Sequence, residues 1–211
     1  MKNRYKNNYV FFVPNNFNIN NYNFSYYNPV RTDIGLKAMH KLVLHPECKS
    51  GPITSVTASL SPTAGGCTAE FRLHGDIGAI KVPTQATPLR EDFLWKTTCF
   101  EIFWQPNGGQ WYREFNLSPS SKWACYDFDD FRLNSRDGPV EAIAVACTHS
   151  ADGLLLRAGI ASELGDPAQV ALNAIVEDLE GNIQFWALAF SDGKPEFHSE
   201  VCRQLRVERG E

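Results

Sequence analysis

Glu101, Glu114, Asn116 and Asp127 lie close together in the chain, and Tyr112 and Trp123 are interspersed among them. The segment from Tyr112 to Phe131 reads YREFNLSPSSKWACYDFDDF, dense in rings and acids and poor in aliphatic residues. Carboxylates and an amide set beside aromatic rings suit two chemistries. They can accept hydrogen bonds from a hydroxyl-rich ligand while a ring covers its apolar face. Alternatively, Glu101 and Glu114 can act as the acid and the base or nucleophile of a glycoside hydrolase. A solvated acidic face is the plainer alternative, with Glu101 and Glu114 paired to Lys96 and Lys122.

Other chemistries lack their residues. There is no H-E-x-x-H, no zinc-ligand spacing, no phosphate loop and no G-x-S-x-G, so no metal or catalytic triad is expected. The Asp127–Asp130 run, DFDD, lacks the alternating ligands and turn glycine of a calcium loop and reads as a surface acid cluster. Six scattered cysteines without a C-x-x-C read as reduced thiols of a cytoplasmic protein. A net charge of -4 argues against a nucleic-acid partner, and no apolar run approaches the roughly 18 residues that span a bilayer.

That charge is unevenly distributed. Residues 1–38 carry five basic groups and one acid, and the first 30 contain ten asparagines and five of the seven tyrosines. This Asn/Tyr-rich tract reads as a disordered extension or a start-site artefact, and residues 39–211 as a single domain.

The elements that must position the acids are strands. ITSVTASL, CTAEFRLHGDI, TTCFEIFWQ, WYREFNLS, KWACYDFDD, EAIAVACTH, LLLRAGIAS, ALNAIVED and IQFWALAF are separated by turn-rich segments, and only Ser162–Val170 suits a helical turn. The expected fold is an all-β antiparallel sandwich or jelly roll, an immunoglobulin-like two-sheet architecture. A hairpin turn at PNGG sets Trp104 opposite Arg113, Ile102 opposite Phe115 and Phe100 opposite Leu117 on the core face. A turn at SPSS that sets Trp123 opposite Asn116 places Cys125 beside Glu114 and Asp127 beside Tyr112. One face then carries Glu101, Tyr112, Glu114, Asn116, Trp123 and Asp127; a slip of one residue reverses any strand's contribution.

LWKTTCFEIFWQPNGGQWYREFNLSPSSKWACYDFDDFR followed by FWALAFSDGKPEFH resembles DOMON-like bacterial proteins akin to the family-nine carbohydrate-binding modules, over residues 39–207. The resemblance implies a β-sandwich that holds a sugar between two Trp rings while carboxylate and amide side chains contact its hydroxyls. Trp95, six residues ahead of Glu101, matches the first clamp position, and Trp186 is the candidate for the second. The family's arginine contact has no clear counterpart, since Arg113 turns inward in this register. DOMON domains also include haem-binding cytochromes with Met and His ligands. Here the only methionines are Met1 and Met39, which disfavours haem.

The expectation is a non-catalytic module that binds a small hydroxylated ligand such as a sugar through Trp95, Glu101, Tyr112, Glu114, Asn116, Trp123 and Trp186, without a cofactor. The alternatives are a haem or redox domain, a carbohydrate-active enzyme using the paired glutamates, and a protein-interaction module. A homo-oligomer is compatible with each.

Overall fold

A computed structural model describes residues 38–208; the Asn/Tyr-rich extension assigned to residues 1–38 lies outside them except for its last residue. Among the described residues the chain forms twelve strands and three single-turn 3₁₀ helices. The strands are β1 (His40–Leu44), β2 (Ile53–Thr63), β3 (Gly66–Gly75), β4 (Cys99–Pro106), β5 (Tyr112–Leu117) and β6 (Trp123–Phe128). They continue as β7 (Arg136–Asp137), β8 (Ala142–His149), β9 (Gly153–Ala161), β10 (Ala168–Glu177), β11 (Ile183–Ala187) and β12 (Leu205–Val207). All paired strands are antiparallel.

The fold is the expected all-β sandwich, and every predicted run contributes a strand. Its strand order is β7-β6-β5-β4-β10-β11-β1-β2-β3-β9-β8, with β12 beside β10. The short β1 links the two sheets: Val43 and Leu44 pair with β11, whereas His40–Leu42 pair with β2. Between the sheets lies the main core. Leu42, Val56, Phe71, Leu73, Leu156 and Ile160 meet Phe100, Ile102, Trp104, Phe115, Leu117 and Leu172 there, all buried by period-two alternation. Phe71 and Phe100 approach to 5.0 Å between ring centroids across the two sheets.

The expected helical turn at Ser162–Val170 does not form. The segment is irregular up to a cis Asp166–Pro167 bond and enters β10 at Ala168. Proline cannot donate the backbone bonds of a helix, and Ala168–Val170 find better partners in β4 and β12.

The β4–β5 hairpin has the expected register, with Trp104, Ile102 and Phe100 opposite Arg113, Phe115 and Leu117. The β5–β6 hairpin is displaced by one residue. Leu117, not Asn116, faces Trp123, and Arg113 faces Asp127. Ser118 N–H donates to the Lys122 carbonyl and Ser121 N–H to the Ser118 carbonyl, with Ser121 at φ 75. This is a three-residue loop ending in a left-handed residue, and its odd length shifts the return strand by one position.

The shift exchanges the faces of β6. Trp123, Cys125 and Asp127 turn to the core side, while Ala124, Tyr126 and Phe128 join Glu101 and Glu114. Asp127 is therefore not part of an acidic outer face. Its oxygens accept from Arg113 Nε at 2.6 Å and Nη2 at 2.9 Å, and Arg113 Nη1 donates to Ser162 Oγ and the Glu163 carbonyl. Both partners are under 8% exposed. Removing one side of such a pair strands a desolvated charge, so Asp127→Ala is expected to lower stability by about 3–5 kcal/mol in urea unfolding. A loss under about 1 kcal/mol would show that the pair does not hold the hairpin.

Candidate functional site

The outer face of the sheet containing β4, β5 and β10 is not solvated. Alternation along these strands sends Cys99, Glu101, Phe103, Tyr112, Glu114, Asn116, Ala171, Asn173 and Ile175 to this side, all of them buried. A second apolar cluster, including Phe103, Tyr112, Phe128, Ile175, Phe197 and Cys202, surrounds the polar groups. The segment after β11 supplies much of this cover, with Phe190, Phe197, His198, Cys202 and Arg203. Phe185 and Phe190 pack on Phe197 at ring-centroid distances of 5.7 and 5.9 Å.

One transverse row runs across five strands. Pairing places Ala124, Asn116, Glu101, Asn173 and Ala187 side by side on β6, β5, β4, β10 and β11. Glu101 is 3% exposed, and the other four are fully buried. Both polar atoms of the Asn173 carboxamide lack a hydrogen-bond partner. A buried amide without partners costs about 1–3 kcal/mol, which makes this position unusual in a core. The alanines at both ends leave the floor low on either side of the amide and the acid.

Glu114 lies one pleat away, opposite Phe103 and diagonal to Glu101. Asn116 Nδ2 donates to Glu114 Oε1 at 2.6 Å, and the Cys99 thiol weakly approaches Asn116 Oδ1 at 3.8 Å. Burial pushes the Glu114 carboxyl up to about 7, against the help of the Asn116 bond and of Arg132. Burial and then the Glu114 charge hold Glu101 well above the usual carboxylate range. The two acids titrate as a pair that retains a proton near neutrality.

His198 connects this pair to the cover. The Tyr112 hydroxyl accepts from the Arg132 backbone N–H at 3.1 Å and lies 2.7 Å from His198 Nδ1. On the other side of the ring, His198 Nε2 lies 3.6 Å from Glu114 Oε2. Phe103 and Phe128 contact the imidazole edge to face at 5.0 Å, and burial followed by Arg132 lowers its pKa to about 4. His198 is therefore neutral at physiological pH. Arg132 is held by Glu196 through two bonds at 2.9 and 3.0 Å. Arg203 lies 4.4 Å over the Tyr112 ring and donates Nη2 to the His198 carbonyl.

The residues expected from sequence divide between two faces. Glu101, Tyr112, Glu114 and Asn116 are together as expected. Trp95 stands half-buried at the rim of the same face, 5.9 Å from the Tyr126 ring. Trp186 is not its clamp partner, because it faces the inter-sheet core beside Ala174 at 4% exposure. Trp123 also packs against that core, by the one-residue shift in β6. Phe185 takes the position on the site side next to Trp186.

Asn173, His198, Arg132 and Glu196 were not anticipated. A lone Asn in the apolar run ALNAIV, at the spacing of Ala171 and Ile175, was the available signal for the first. The others reach the site through tertiary packing. Among the described residues no group of three or more His, Cys, Asp or Glu is arranged to hold a metal ion, and no helix is long and apolar enough to cross a membrane. All six cysteines are unbridged.

No family model and no curated protein matches the chain. Among solved structures, the chain is similar to one from Bacteroides uniformis described as a "putative carbohydrate-binding protein". The two superpose with a TM-score of 0.56 and 11% sequence identity, over 79% of this chain and 84% of the other. At this identity the likeness is one of fold.

The buried acids make stability depend on pH. Between 4.5, the ordinary value for Glu, and about 7, the folded chain holds a proton on Glu114 that the unfolded chain has lost, so stability falls as pH rises. His198 has the opposite effect between about 4 and 6.5, where the unfolded chain binds the extra proton. Glu114→Gln cannot ionise. Its stability relative to the parent is expected to rise by on the order of 3 kcal/mol between about pH 5 and pH 8, measured by urea midpoints. An unchanging difference across that range would mean that Glu114 ionises normally.

Proposed function

We propose that the protein binds a small hydroxyl-rich ligand of the sugar class on the face carrying Glu101, Glu114, Asn116 and Asn173, with Trp95 at its rim. The observation that carries this reading is the Asn173 carboxamide, fully buried and without a hydrogen-bond partner beside the Glu101 carboxylate. An amide offers both donors and an acceptor, and a carboxylate offers acceptors, the set that recognises adjacent hydroxyls. Buried Phe103, Tyr112 and Phe128 surround these groups with ring surface, to which a sugar's C–H face is complementary. The fold likeness to a protein described as carbohydrate-binding supports the reading, as does the DOMON-like pattern of the sequence.

A second reading rests on one observation. A carboxyl at about 7 next to another carboxyl can serve as a general acid, so the same face would support glycoside hydrolysis. Release of reducing sugar from disaccharides, abolished in Glu114→Gln, distinguishes it from binding alone.

The binding test is a tryptophan-fluorescence titration of the full chain with monosaccharides and disaccharides. Saturable quenching is expected, its signal lost in Trp95→Ala. Affinity should fall at least about fivefold in Asn173→Ala, since a lost polar contact is worth about 1–3 kcal/mol. Trp186→Phe, a change on the opposite face, should leave affinity unchanged. A folded protein that responds to no sugar would refute the proposal.

A further inference from the structure

The Glu101–Glu114 pair has no committed counter-ion. Among the described residues no Lys or Arg forms an ion pair with either carboxylate. Arg132 is near enough for its charge to favour both anions, yet its guanidinium is held by Glu196. Arg203 stacks on Tyr112 and bonds the His198 carbonyl. The remaining titratable neighbours bring no positive charge. His198 is neutral, the Tyr112 hydroxyl is hydrogen-bonded to it, and burial keeps the Cys99 and Cys202 thiols protonated.

The hydrogen-bonding inventory also leans toward acceptors. Asn116 Nδ2 is engaged by Glu114, and His198 Nε2 lies 3.6 Å from the same carboxylate. The free capacity consists of the Glu101 oxygens, to which no described residue donates, the Asn173 carbonyl oxygen and two donor groups, the Asn173 amide and Arg203 Nε in the cover. Asn173 is independent of the acids as an observation: it is an uncharged, fully buried side chain set into the same row without partners.

From this arrangement we infer that the ligand carries a positive charge as well as hydroxyls: an amino sugar or comparable polyol amine, whose ammonium lies between Glu101 and Glu114. The inference rests on the sugar-site reading and refines it. An ammonium brings three donors and no acceptor, which matches an acceptor-rich site. It also replaces the proton that the acid pair otherwise holds. Charge neutralisation in a desolvated site has far more effect than in water, so the charged ligand gains over its neutral analogue. The balance is simple: the ammonium enters, both carboxylates become ionised, and the proton they shared passes to the buffer. No bond is made or broken.

The test uses the full chain and three probes, 2-amino-2-deoxyglucose, glucose and N-acetyl-2-amino-2-deoxyglucose. Calorimetric titration is carried out near pH 7 in phosphate and in HEPES, whose different ionisation heats report proton release. The expected result is at least about tenfold tighter binding of the free amine than of either neutral probe, with about one proton released per ligand bound. Glu101→Gln should remove that preference. Equal affinity for glucose and the amine, without proton release, would overturn the inference and leave the sugar site standing. Failure of all three to bind a folded protein would overturn both.

Discussion

The buried pairing of Arg113 with Asp127 is the constraint on which the candidate site depends. It requires these residues to face each other on the core side of neighbouring strands, and together with the three-residue loop after Ser118 it fixes the register of β5 against β6. Tyr126 and Phe128 consequently lie on the opposite face, where Phe128 stacks on Tyr112 at 5.0 Å and contacts His198. A hairpin displaced by one residue would bury Tyr126 between the sheets and put an acid beside Tyr112. The ion pair thus specifies a strand register, a use for which buried charges are well suited even where their net contribution to stability is small.

Both faces of the β4–β5–β10 sheet are enclosed, but for different reasons. One is an apolar interface with the second sheet. The other is covered by segments that bring rings, a neutral imidazole and guanidinium groups over a floor of amides and carboxylates. Burial explains the electrostatics of this floor. Taking two carboxylates from water raises their affinity for protons, and the same desolvation lowers that of His198. The Tyr112 hydroxyl joins the Arg132 backbone amide to His198, whose Nε2 lies 3.6 Å from Glu114.

Much of the fold was legible in the chain. Alternation marked nine strands, and the PNGG turn gave the β4–β5 register, because tight glycine turns constrain which residues face each other. It also turned Arg113 inward and put Glu101, Tyr112, Glu114 and Asn116 on one face. The return strand after SPSS was less legible. Serine and proline fit several loop lengths, and the left-handed Ser121 is not a residue type that advertises its conformation. The strands β1, β7 and β12 are short, and β1 and β12 pair with β11 and β10, distant in the chain.

By itself the sequence determined the all-β class, the location of Glu101 and Glu114 on one sheet face and the inward direction of Arg113, but not the side taken by Asp127. These follow from period-two alternation and local turn chemistry, which act over a few residues. Tertiary structure alone decided that the acidic face is buried, that Asn173 stands beside Glu101, that His198 faces Glu114, and that Trp186 belongs to the core. Those facts arise from pairing between strands far apart in the chain and from a C-terminal segment folding over the sheet. Alternation says which residues share a face, but it carries no information about what will cover that face.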